Sequence, residues 1–235
     1  MENTFAKHPL FGILHIIPKR QARRIIVRAA ANGLDITVPA HLQDMNEVNR
    51  LLDNNRERIL EMQRSFKDHT QTIDNRFCIS TDILNLTVGL GAPPNTRTIQ
   101  RKKGQCIITY PNDYNFEHFQ EDVKMTIREE LRIQAKLYLY DRIEMLAEKW
   151  GFQFCDVKIQ SSRTRWGSCS SRNNINFSLY LMCVPSHLID YVILHELCHT
   201  VHHDHSPRFW AEMDRVTGQK AQSLRHELSQ YKIPL

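Results

Sequence analysis

The sequence predicts an α+β chain: a β-hairpin-rich N-terminal part with one helix, followed by a helix–sheet–helix part. Three observations carry this. Alternating apolar runs bounded by turn residues recur between Arg23 and Tyr110. A long helical stripe opens at Phe116. Three further helical patterns close the chain, and the first of them carries His195-Glu196-Leu197-Cys198-His199. The boundary between the parts is expected between residues 113 and 114.

Each element has its own signal. Ile25, Val27 and then Leu34, Ile36, Val38 alternate across Asn32-Gly33, so Arg23 to Val38 reads as a β-hairpin with a primed turn. Val48, Leu51, Leu52, Ile59, Leu60 and Met62 predict one helix over 42–66. Strands are expected over Thr81–Val88 and Thr98–Tyr110, the latter turning at Lys103-Gly104, and Gly89 to Pro94 reads as a loop. Val123, Ile127, Leu131, Ala135, Leu139, Ile143 and Leu146 form one face of a helix over 116–150, which Gly151 stops. Short strands are expected at Phe154–Gln160, around Arg165–Cys169 and at Ile175–Leu181. Helices follow over Ser186–Val201, from Ser206, and near Gln219–Tyr231. No internal repeat is evident.

Composition excludes several classes. With 235 residues, 41% hydrophobic and 24% charged, the chain is an ordinary globular one. No apolar run approaches a membrane span; Phe11–Ile17 is interrupted by glycine and histidine. The start lacks a basic segment followed by an apolar one, so no secretory signal is expected. None of the six cysteines forms a Cys-x-x-Cys pair, and reduced thiols in a cytoplasmic setting are the simpler expectation. The net charge is +5. Lys19, Arg20, Arg23, Arg24 and Arg28 form a basic stretch that suits a solvated hairpin face more often than a nucleic-acid contact.

The histidine motif carries the chemistry. Two histidines four apart on a helix are offset by about 40° and about 6 Å along the axis, so their rings lean toward one point where an ion can sit. Glu196 lies one step round, within reach of a metal-bound water. The helix around them is apolar on nearly every side, and burying two imidazoles and a carboxylate costs free energy unless each is compensated. The third ligand follows from helix ends. Ser206-Pro207 is a helix start, so the first helix must end near His202–Asp204 and His205 falls in the connector, free to swing back. His203 or a distant acid are the alternatives. Cys198 faces elsewhere and reads as packing. Phe209 and Trp210 read as residues that fix the His205 connector, and Trp166 as a core anchor or a substrate contact.

Arg165-Trp166-Gly167-Ser168-Cys169-Ser170, His195-Glu196-Leu197-Cys198-His199 and His205-Ser206-Pro207-Arg208-Phe209-Trp210 together resemble the YgjP-like family of zinc metallopeptidases, itself similar to SprT-like and gluzincin-type peptidases. The resemblance extends over about residues 20–230, so the two parts could form one continuous family domain. It implies a zincin-like catalytic part, one Zn2+ on His195, His199 and His205, Glu196 as general base, and a peptide or protein substrate. The glycine that metzincins place at the position of His202 is absent, and that relationship is rejected. Arg163, Arg165, Tyr180 and Tyr191 are candidate oxyanion donors, and Ile175–Leu181 is the candidate edge strand for an extended substrate.

Overall fold

The computed structural model describes residues 4–30, 33–40, 45–69 and 72–233. It is a mixed α+β fold whose chain divides into two compact units, residues 1–71 and 72–234. No helix among the described residues is long and apolar enough to cross a membrane.

The first unit is a four-stranded sheet and two helices. Strands β1 (Thr4–His8), β2 (Gly12–Lys19), β3 (Ile26–Ala30) and β4 (Gly33–Pro39) lie in the order β1-β2-β4-β3, with β2 and β4 parallel. The expected hairpin is β3–β4, although Asn32 of its turn lies outside the described residues. Leu34, Ile36 and Val38 point inward with Leu14 and Ile16, against Val48, Leu52 and Ile59 of the helices. β1 and β2 were not expected. Phe11–Ile17 is a partly alternating strand that hides as a plain apolar run. A side chain at Gly33 would collide with the Ile13 carbonyl, 1.8 Å from an added Cβ, so the close β2–β4 approach demands glycine there. The single helix expected over 42–66 is instead α1 (Met45–Asn54) and α2 (Arg56–His69). The break falls at Asn55, whose side chain donates to the Leu51 carbonyl at 2.9 Å.

The second unit opens with a sheet of the same topology. β5 (Cys78–Ser80), β6 (Asn85–Ala92), β7 (Thr98–Lys102) and β8 (Gln105–Pro111) lie in the order β5-β6-β8-β7. The registers repeat as well. Ile13 pairs Gly33 and Asn85 pairs Gln105; Ile26 pairs Thr37 and Thr98 pairs Thr109. The expectation of no internal repeat is therefore corrected: a sheet with matched pairing occurs twice. Two local boundaries also move. Thr81–Leu84 is a turn closed by the Thr81 amide on the Leu84 carbonyl at 2.8 Å, and Gly89–Ala92 belongs to β6 around a bulge.

Helix α3 (Gln120–Trp150) follows, ended by Gly151 at φ 77°. All seven residues of its expected stripe are buried. A three-stranded sheet comes next: β9 (Asp156–Gln160), β10 (Gly167–Cys169) and β11 (Asn174–Ser178), ordered β10-β11-β9. Here the edge-strand expectation fails. The strand within Ile175–Leu181 is the central one, Leu179–Cys183 turns into a 3-10 helix, and β10 lies at the edge. The chain closes with α4 (Ser186–Cys198), α5 (Pro207–Thr217) and α6 (Ala221–Ser229). α4 contacts α3, α5, α6 and β10, which accounts for apolar residues on nearly all its faces. A fork from Arg142 of α3 to Asp190 of α4, 2.6 Å at Nε, ties the two helices.

Candidate active site

α4 ends at Cys198, earlier than the expected 202–204. The amides of Thr200 and Val201 fold onto the Leu197 and Cys198 carbonyls in tight turns, and the amide of His202 follows onto Cys198. This turn brings the His202 carbonyl to 2.9 Å from Nδ1 of His199. A carbonyl only accepts, so Nδ1 carries the proton and Nε2 is left as the free ligand atom. The connector then bends at Asp204, whose carboxylate accepts from the Ser206 amide at 3.3 Å. Ser206 is the N-cap of α5 by backbone shape, yet its side chain makes no capping bond.

The outcome is convergence. Ligand atoms of His195, His199 and His205 lie within 4.8 Å of one another. Nε2 of His205 stands 3.3 Å from Nε2 of His195. Two imidazole nitrogens holding one tetrahedral ion at about 2.0–2.1 Å each stand about 3.3 Å apart, so this pair fits a metal. His202 contributes only its carbonyl, and neither it nor His203 joins the cluster. Phe209 supports all three rings from below. It is fully buried, stacked on His199 at 4.5 Å and edge-on to His195 and His205 at 4.9 Å each.

Electrostatics agree with a metal site. Burial first, then the neighbouring histidines, push His195 down to about 3, which keeps it neutral and able to ligate. Burial pushes Glu196 up to about 8. Its side chain is 5% exposed, and Oε2 has no hydrogen-bond partner among the described residues. An orphaned carboxylate oxygen beside three converging imidazoles is what a metal and its water would compensate.

A cavity of about 560 Å³ opens over these groups. Tyr191 and Val192 of α4, Trp210 of α5, and Arg225 and Leu228 of α6 line it, together with Arg165, Trp166 and Gly167. Gly167 sits directly against the glutamate: an added Cβ would lie 2.6 Å from Glu196 Oε1. Of the candidate oxyanion donors, Arg165 and Tyr191 reach the cavity, whereas Arg163 and Tyr180 are not part of its lining. Trp166 lines the cavity half-buried, and its carbonyl accepts from the Ser178 amide at 2.8 Å. Trp210, expected as packing alone, also reaches the cavity. Sequence reasoning missed Arg225 and Leu228, which lie on a helix with no motif of its own.

These features define a class, and comparison with known proteins gives the family. The chain is a metallopeptidase. It belongs to the YgjP-like family, whose metallopeptidase-domain model matches residues 23–231. No curated protein matches it. Two crystal structures of metallopeptidase zymogens are similar over part of the chain. Abylysin of Pyrococcus abyssi is 22% identical over 39% of this chain and 91% of its own, with a TM-score of 0.36. Jannalysin of Methanocaldococcus jannaschii is 18% identical over 39% and 93%, with a TM-score of 0.35.

Proposed function

We propose that this chain is a zinc-dependent peptidase in which His195, His199 and His205 hold one Zn2+ and Glu196 is the general base. The observation that carries the reading is the convergence of three imidazoles beside a buried carboxylate, with His195, His205 and Glu196 opening on one cavity. Bound zinc supplies a Lewis acid and lowers the pKa of water toward 7. Beside a cation the Glu196 carboxylate returns to its ionised form. It then takes a proton from the attacking water and delivers it to the leaving amine. Phe209 and the His199–His202 bond hold the rings in place before substrate arrives.

We place the catalytic part in residues 114–235, in a zincin-like helix–sheet–helix arrangement of α3, the β9–β11 sheet and α4. The free edge of β10 lies next to the glutamate, and an extended peptide adding there as a further strand would present its carbonyl to the cluster. Arg165 and Tyr191 are the candidates for stabilising the oxyanion. Lys19, Arg20, Arg23 and Arg24 lie at and after the end of β2, and Arg28 on β3, in the unit without the histidine cluster; no nucleic-acid role is proposed for them.

The test pairs metal analysis with cleavage. Purified protein is expected to hold one zinc and to cut an unfolded protein. Glu196→Gln is expected to keep the zinc and lose the cleavage. Turnover of the Gln variant at the parent rate would remove Glu196 from the role. Hydrolysis of small esters or amides with no peptide cleaved would replace the peptidase reading with that of a different zinc hydrolase.

A further inference from the structure

The cavity over the histidines is unevenly charged. Glu196 is the one carboxylate in its lining, against two guanidiniums, Arg165 and Arg225. They come from separate elements, Arg165 from the segment before β10 and Arg225 from α6. Arg97, Arg101, Arg128, Arg142 and Arg215 of the same unit are each paired with an acid. Arg165 and Arg225 have no such partner among the described residues. Arg225 is nevertheless held in place, with its guanidinium 5.2 Å from the Trp210 ring centroid, where stacking fixes the planar fork while leaving its N–H edges free. Both act at the site itself: Arg225 is close enough to bear on the charge of His195 and Tyr191, and Arg165 on that of Glu196.

A planar donor fork with no internal acceptor is matched by a carboxylate, bidentately. We propose that Arg225 and Arg165 make this cavity selective for peptides that carry a carboxylate beside the reacting bond. This rests on the peptidase reading for the ligand's being a peptide. The carboxylate has two possible sources, an Asp or Glu side chain and a free C-terminus. A peptide lying along the edge of β10 runs beside the cavity that both arginines line in either case, and a lysine entering it meets two like charges.

The experiment is equilibrium binding of fluorescent octapeptides to the metal-free, full-length chain, so that no carboxylate can bind through a metal. Four probes differ only in charge: a central Asp with an amidated end, a central Asn with an amidated end, a central Asn with a free C-terminus, and a central Lys with an amidated end. One or both of the carboxylate peptides is expected to bind about five-fold tighter than the neutral one, and the pattern identifies the source. Salt at about 0.5 M is expected to erase the difference. Arg225→Gln and Arg165→Gln are each expected to shrink it, and Arg225→Glu to favour the Lys peptide. Equal affinities in the parent, no binding at all, or a preference that survives in the double Gln variant would overturn the proposal. Cleavage of the same peptides by the zinc-loaded chain separates the two readings. A charge preference in binding with nothing cleaved would remove the peptidase and leave the selectivity. Cleavage indifferent to charge would do the reverse.

Discussion

Replacing Glu196 by Gln is expected to stabilise the metal-free protein while abolishing its activity. The carboxyl group lies in a pocket where its side chain is 5% exposed, with Oε2 unpartnered and Gly167 packed against it. Burial raises its pKa from 4.5 to about 8. At neutral pH the folded chain therefore keeps a proton that the unfolded chain releases. A folded-state pKa above the unfolded one gives stability that is whole below pH 4.5 and lost as pH rises toward 8. The loss at pH 7 is about 3 kcal/mol and at pH 5 under about 1 kcal/mol. Gln keeps the shape and cannot ionise, so it removes that loss. Denaturant titration of chelator-treated parent and variant at pH 5, 7 and 8 is the assay, with a stability gap expected to widen with pH. Zinc should close the gap, because a nearby cation restores the carboxylate's preference for its charged form. A gap that is absent at pH 7, or the same at all three values, would refute the buried, uncompensated carboxyl on which the site is built.

Other outcomes follow from the same geometry. His195 is shifted the opposite way, from 6.5 to about 3, so metal-free stability should also fall as pH drops through that window, and His195→Asn should flatten this acid limb in a pH-stability profile. His205→Ala should lower zinc content after dialysis without unfolding the chain, since the residue is exposed and sits in a connector; unchanged zinc by metal analysis would move the third ligand elsewhere. Gly167→Ala would place a methyl 2.6 Å from Glu196 Oε1 and should cut kcat on the order of 100-fold at unchanged zinc content. Glu130→Ala would leave Arg101 without its two bonds, at 2.7 and 2.6 Å. Breaking a fully buried pair costs at least 3 kcal/mol, but Arg101 is 45% exposed, so about 2 kcal/mol by denaturation is expected here.

What could be read from the sequence was what short-range geometry decides. The stripe from Val123 to Leu146 is a helix face, and every member is buried, because 3.6-residue periodicity is a property of one segment alone. His195 and Glu196 lie on α4 and His199 caps it one turn after His195, for the same reason. The start signal at Ser206-Pro207 placed His205 in the connector, even though the serine side chain caps nothing. What could not be read was set by neighbours distant in sequence. Which strand of β9, β10 and β11 lies at the edge depends on pairing order, and β11, with no more apolar residues than β9, is the more buried because it is central. Arg225 reaches the cavity only because α6 contacts α4. Gly167 needed no side chain for a reason visible only once Glu196 stood above it.

The repeated sheet escaped notice for a related reason. Adding 72 to the numbers of the first sheet's β2–β4 and β3–β4 pairings carries them onto the second, except at the last β2–β4 pair, where the bulge after Leu90 shifts the register by one. Leu34, Ile36 and Val38 fall on Cys106, Ile108 and Tyr110, and Leu14 and Ile16 on Leu86 and Val88, all of them buried. Few identities survive, because a sheet register constrains which way a residue points more than which residue it is. The two copies part company after the last strand. The first is followed by helices broken at Asn55, the second by the unbroken α3. That continuity has a use. α3 reaches far enough to place Arg132 on the Ile159 carbonyl of β9 at 2.9 Å and Arg142 on Asp190 of α4. A single rigid rod thus holds both the sheet beside the glutamate and the helix that bears it, and a break like the one at Asn55 would uncouple them.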